Sequence, residues 1–224
     1  GINSKYGKNL IGTFYQPNLV ISDTSFLKSL PKREIICGYA EILKHSLILD
    51  NKLFAYLDKN ANQVLKLKKP YLENVIYQSC LIKKSIIEKD ESEQNLRQIL
   101  NFGHTFAHAF EATKKYSKKL NHGEAVLLGM LMAAQFSYNK KHLSLNDLNL
   151  IKNHFLKLNL PSRIGSFFNK SEINKIIYFM KKDKKNLNKK INLVLLNKIG
   201  KTTKLNSSIV SSNDIKKFLT KQFF

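Results

Sequence analysis

The chain has 224 residues, 43% of them hydrophobic, and a formal net charge of +22. That is enough apolar content for a real core, and no run of about 18 or more apolar residues is present to span a membrane. Thirty-five of the 38 basic residues are Lys and three are Arg, with Lys pairs spread along the whole chain. A surface that reads phosphates recruits Arg for its planar fork, so this charge reads as a solvated basic surface, not a nucleic-acid footprint.

No zinc-finger, aromatic RNA-binding strand or helix-turn-helix signature supports a nucleic-acid module, which stays as the rival reading from a different class. The opening Gly1-Ile2-Asn3-Ser4 is neither a signal peptide nor an initiator start, so the chain reads as part of a longer protein. Cys37 and Cys80 are far apart, outside any CxxC-type pair and in apolar surroundings, which predicts buried free thiols in a reducing compartment.

In chain order, the Gly-punctuated stretch 1–17 predicts a loop, and Leu19-Val20-Ile21 a short buried strand. Phe26 to Leu30 suggests a turn of helix before Pro31. From Lys32 to about Asp50 the apolar positions Ile35, Ile36, Tyr39, Ile42, Leu43 and Leu47 recur at helical spacing. Further helices are expected at about 51–68, 70–90, 92–114, 123–140, 145–157 and 171–181. The run Ile191–Leu196 predicts a strand, Ile199-Gly200 a turn, and Asn213-Asp214 a cap for a last helix to Lys221. One mainly helical domain over 1–224 is the expectation.

Three segments carry candidate chemistry. In Asn101-Phe102-Gly103-His104-Thr105-Phe106-Ala107-His108, the two histidines stand one helical turn apart on one face. They can share a metal or serve different roles. In Asn121-His122-Gly123-Glu124, Asn121 suits a helix cap, and Gly123 lets another element come close to His122. In Gly38-Tyr39-Ala40-Glu41-Ile42-Leu43-Lys44-His45, Glu41 sits among apolar neighbours, where an unpaired carboxylate is costly to bury. Lys44, one turn on, or a cation would satisfy it, unless that stripe is simply exposed. One Glu and two His leave a coordination place open, the pattern of catalytic and not structural zinc.

These segments, together with 7–17 (GKNLIGTFYQP), 91–111 (ESEQNLRQILNFGHTFAHAFE) and 180–185 (MKKDKK), resemble successive signature segments of the 3-dehydroquinate synthases, in that family's order. The resemblance implies the helical C-terminal portion of a two-domain fold (α/β plus α) with short β segments. Residues 1–30 would then connect to an N-terminal NAD-binding domain whose glycine-rich phosphate loop is not in this sequence. It implies Glu41, His104 and His122 as ligands of one divalent metal, zinc or cobalt. Substrate contacts would fall to Asn9, Lys44, Lys83, Arg97, Asn101, His108 and Lys184 or Lys185, with Lys185 the first choice. Lys44, Lys83, Arg97, Asn101, His108 and Lys185 make up the implied catalytic set, and Glu93 would support it by hydrogen bonding. Lys8 and Phe26-Leu27-Lys28-Ser29 would touch NAD.

The family's reaction turns 3-deoxy-D-arabino-heptulosonate 7-phosphate into 3-dehydroquinate and phosphate, a lyase step of the shikimate pathway toward aromatic amino acids. The resemblance further implies a cytoplasmic homodimer acting on a small phosphorylated sugar acid, with no nucleic-acid or membrane partner. Without a nucleotide domain the chain alone is expected not to turn over. The nearest rival is another sugar phosphate cyclase making an inosose or a valiolone.

Overall fold

The computed structural model describes residues 2–4, 7–13, 15, 17–182, 191–205 and 207–223, at 3–4 and 7–10 as backbone only. Among them eight helices form one packed body, and paired strands make only small sheets. The order is β1 (Ile2–Ser4), β2 (Gly7–Ile11), a 3-10 turn (Thr24–Ser29), α1 (Lys32–Leu49), α2 (Asn51–Leu65) and α3 (Tyr71–Ile87). A second 3-10 turn (Leu96–Asn101) leads into α4 (His104–Thr113), α5 (His122–Asn139), α6 (Leu145–Lys157) and α7 (Ile173–Lys182). Then come β3 (Ile191–Asn192), β4 (Leu196–Lys198), β5 (Lys201–Thr202), β6 (Ile209–Val210) and α8 (Ser212–Lys221).

The centre is α5. Its middle, Ala125 to Ala134, is buried on every side, as expected of a helix apolar all round. Against it pack α1, α4 and α6. Local chemistry sets the helix starts. Asp50 accepts from the backbone N–H of Lys52 and Leu53 to open α2. Asn121 and Glu124 close a reciprocal capping box at the head of α5. Ser144 caps α6 through Asp147 N–H.

Two glycines of α5 decide how tightly the helices meet. A Cβ on Gly123 would lie 2.3 Å from Cys37 Cα of α1, and one on Gly129 2.2 Å from the Gly103 carbonyl oxygen. The main chains of α1 and the α4 start therefore touch α5 where no side chain fits. Gly103 itself sits in the left-handed region at φ +78, with Met130 against it.

Several expectations change. The 1–17 loop contains the β1–β2 antiparallel hairpin. Leu19, Val20 and Ile21 form no strand: they are 73%, 74% and 82% exposed, since no described element packs over them. The single helix at 92–114 is two pieces, because Gly103 turns the chain between the 3-10 turn and α4. The 191–196 strand is interrupted at 193–195 and its ends pair with different partners. The Ile199-Gly200 turn does close β4 on β5, with Gly200 at φ +82. Ser211, not Asn213-Asp214, caps α8, accepting from Asp214 N–H. Cys80 is exposed on α3 and Cys37 half-buried, so two buried thiols are not found; both are free of disulfides.

Candidate metal centre

Glu41 leaves the middle of α1, His104 the first residue of α4 and His122 the first residue of α5. Their ligand atoms lie within 4.8 Å of one another. His104 Nε2 is 3.7 Å from Glu41 Oε1, and the His104 and His122 rings are 5.7 Å apart between centroids. A tetrahedral ion with ligand distances of 2.0–2.2 Å needs donors roughly 3.3 Å apart, so small side-chain rotations close the set.

The far nitrogen of each ring is already committed. His104 Nδ1 donates to the Phe102 carbonyl at 3.2 Å, and His122 Nδ1 to Glu111 Oε2 at 3.0 Å. That leaves Nε2 as the ring nitrogen each histidine can offer to an ion. Burial, with the Lys44 ammonium pushing the same way, holds the His104 pKa down at about 3, so its ring is neutral and its lone pair free. Burial works against the Glu41 charge, but the Lys44 ammonium hydrogen-bonded to it outweighs that and holds the carboxyl below its usual range. Lys44 is itself buried, its Nζ 2.6 Å from Glu41 Oε2. The donor set suits a divalent ion of zinc or cobalt type with one place open.

Of the other sequence candidates, Lys44 and His108 touch these three directly. The His108 ring stands edge-on to His104, centroids 5.6 Å apart. Asn101 Nδ2 donates to Glu93 Oε1 at 2.9 Å, and Glu93 holds φ +59, unusual for a residue with a side chain. The loop they share is pinned by buried Asp90, whose carboxylate accepts from the backbone N–H of Gln94, Asn95 and Arg97 at 2.8–3.0 Å. Those three donors outweigh the burial that would raise the Asp90 pKa, which is held low. Arg97 Nη1 also donates to the Glu91 carbonyl.

Lys83 is exposed and lines, with Glu41 and His45, a cleft of about 330 Å³ between α1, α2 and α3. Leu27 faces the same cleft, while Phe26 is 72% exposed and Lys28 and Ser29 are exposed beside it. Lys8 and Asn9 lie on β2, described here by its backbone. Lys184 and Lys185 lie outside the described residues.

Comparison with known proteins then decides the family. The family model described as 3-dehydroquinate synthase C-terminal matches residues 38–186, and the N-terminal one matches residues 1–37. The chain belongs to the 3-dehydroquinate synthase family. The 3-dehydroquinate synthase of Pelagibacter ubique (strain HTCC1062) is 61% identical over 200 residues, covering 89% of this chain and 54% of that protein. The enzyme of the same name from Pseudoalteromonas translucida (strain TAC 125) is 42% identical over 199 residues, covering 89% and 55%. The chain thus spans about half the length of the curated relatives it matches.

Among solved structures, a 2-epi-5-epi-valiolone synthase from Streptomyces hygroscopicus subsp. jinggangensis 5008, with NAD+ and Zn2+ bound, superposes with a TM-score of 0.85 at 23% identity. It covers 99% of this chain and 60% of that one. A 2-deoxy-scyllo-inosose synthase complexed with carbaglucose-6-phosphate, NAD+ and Co2+ gives 0.79 at 27% identity, covering 98% and 61%. The family's helical half is the fold seen here.

Sequence reasoning passed over several residues that hold this site. Glu111 lies seven positions beyond His104, two turns along the same face of α4, a spacing that pointed to it. Arg33 donates through Nε and Nη2 to Glu124 at 2.7 and 2.5 Å and through Nη1 to the Lys118 carbonyl at 2.7 Å, tying the α5 start to α1. No local signal announced that pair, which lies 91 residues apart.

Proposed function

We propose that this chain carries the metal- and substrate-holding half of a 3-dehydroquinate synthase, converting 3-deoxy-D-arabino-heptulosonate 7-phosphate into 3-dehydroquinate and phosphate. The observation that carries the reading is the convergence of Glu41, His104 and His122 within 4.8 Å of one another, beside the buried Lys44 ammonium. The family membership and the 61% identical relative support the same reaction over an inosose- or valiolone-forming one. The reading includes a cytoplasmic homodimer without nucleic-acid or membrane partners. No described helix is long and apolar enough to cross a membrane.

Glu41, His104 and His122 would hold the ion, and Lys8 with Phe26–Ser29 would line the edge of a bound NAD. When bound, the metal supplies Lewis acidity toward a substrate hydroxyl and the dinucleotide a reversible place for hydride. The protein's own share is placement. Lys44, buried as a compact point charge, would pair with a carboxylate, and Lys83, Arg97 and Lys185 would gather the phosphate. Asn101, aimed by Glu93, would orient hydroxyls, and His108 would exchange a hydrogen bond with the group leaving or arriving beside the ion. Lys44 and Asn101 are already held by Glu41 and Glu93, so these two need little reorganisation as charge develops.

The test separates the two histidines. His104→Ala should abolish stoichiometric zinc, measured by metal analysis of the purified protein. His108→Ala should keep zinc but weaken binding of the sugar acid phosphate. Equal zinc loss from both variants would overturn the assignment.

A further inference from the structure

We propose that Glu111 is a positioning residue for His122, and that its buried carboxylate sets both the ring tautomer and the metal affinity of this corner. The inference rests on the metal reading above and goes one layer outward from it. Glu111 is 3% exposed, on the α4 face that packs against α5. Its Oε2 is 3.0 Å from His122 Nδ1. A carboxylate oxygen accepts, so in this hydrogen bond Nδ1 is the donor, and Nε2 is the ring nitrogen left to serve as a ligand.

The two histidines need this help unequally. The His104 side chain is 13% exposed and already fixed by a backbone carbonyl, whereas the His122 side chain is 49% exposed. Half its ring is in water, free to swing or to take the other tautomer unless something buried holds it. A carboxylate does so more firmly than a carbonyl, and it raises the donor strength of the opposite nitrogen. The same helix that supplies one ligand, His104, supplies the brace for another.

The experiment titrates cobalt(II) alone into metal-free parent, Glu111→Gln, Glu111→Ala and His104→Ala proteins, with a chelator in competition. The readouts are affinity and the visible absorption of the bound ion, alongside the melting temperature of each metal-free protein. Glu111→Ala should lose about 10–100-fold in affinity with an altered spectrum. Glu111→Gln, which still accepts from Nδ1–H, should lose less and keep a spectrum close to the parent's. Should both variants melt lower without metal, the Gln-to-Ala ratio still decides the matter, since general destabilisation gives no reason for Gln to rescue.

Unchanged affinity in Glu111→Ala, or equal losses in Gln and Ala, would overturn the inference while leaving the metal site standing. A parent protein that takes up no cobalt, or a His104→Ala protein that binds it as well as the parent, would overturn the metal reading itself.

Discussion

The corner where α1, α4 and α5 meet and the edge formed by residues 11–30 are both rich in apolar residues, yet they behave in opposite ways. At the corner, Phe102, Phe106, Leu43 and Leu127 are wholly buried, and two glycines bring main chains into contact. At the edge, Ile11, Tyr15, Leu19, Val20, Ile21 and Phe26 are each more than half exposed. Hydrophobicity alone does not make a core. What separates the two is backbone approach and polar anchoring: caps, ion pairs and hydrogen bonds pin the corner, whereas among the described residues of the edge Asp23 and Ser29 bond within their own turn.

The sharpest way to break that contrast is a single methyl group. Gly123→Ala would put a Cβ 2.3 Å from Cys37 Cα, main chain that cannot rotate away. The expected loss lies at or beyond the upper end of about 1–3 kcal/mol, with metal binding impaired because His122 is the neighbouring residue. Gly38, on the same helix as Cys37, has nothing within 4 Å of the place a methyl group would take. Gly38→Ala should therefore raise stability by up to about 1 kcal/mol through helix propensity. Chemical denaturation of the two variants checks this; equal effects would mean that the helix crossing is not tight.

A second handle is pH. His45, bonded to Ser79 Oγ, and His154, bonded to Tyr39 and Asp58, are both buried in the helical body. Burial, helped by Lys44, lowers the His45 pKa to about 4, and burial also lowers that of His154 despite Asp58. A folded pKa below the unfolded value of about 6.5 means the unfolded chain binds more protons in between. Stability is therefore complete above about pH 6.5 and falls as pH drops toward 4. His45 alone accounts for roughly 3 kcal/mol of that fall. Residues 2–30 contain no histidine and so no group of this kind. Melting curves of the metal-free protein from pH 7.5 to 4.5 (roughly the window set by these values) check the slope, which His45→Gln should flatten.

The Arg33–Glu124 pair is worth less, because Arg33 keeps 42% of its side chain in solvent. Arg33→Ala should cost about 1 kcal/mol after solvent screening, and Arg33→Lys nearly as much, since Lys cannot make the two-pronged contact. Denaturation midpoints in low and high salt check it, and a large loss from Ala with none from Lys would refute the geometric account.

How much of this was legible beforehand depends on range. Local signals worked: the periodicity from Lys32 onward gave α1, Asn121 and Glu124 gave the α5 cap, and Gly123 announced a close neighbour. The convergence of Glu41, His104 and His122 came through motif resemblance, since no spacing rule connects α1 to α4 across 63 residues. Longer-range partners stayed hidden. Arg33 with Glu124, and His154 with Tyr39, are chosen by helix packing that a linear pattern does not encode. The misread strand at Leu19–Ile21 shows the converse, since apolar residues predict burial only where the fold supplies a covering surface.

The smallest expected effect tests that last point. Val20→Ser removes an apolar side chain that is 74% exposed and has no regular backbone pairing. Little area leaves water on folding, so the change should alter the stability of this chain by less than about 0.5 kcal/mol. The equivalent loss at the corner, Val126→Ser, removes a fully buried side chain and adds a hydroxyl, and should cost about 2–3 kcal/mol or more. Paired denaturation curves read both. A Val20→Ser loss matching that of Val126→Ser would mean that the edge packs on the helical body in solution, and the distinction between a pinned corner and an open edge would fall.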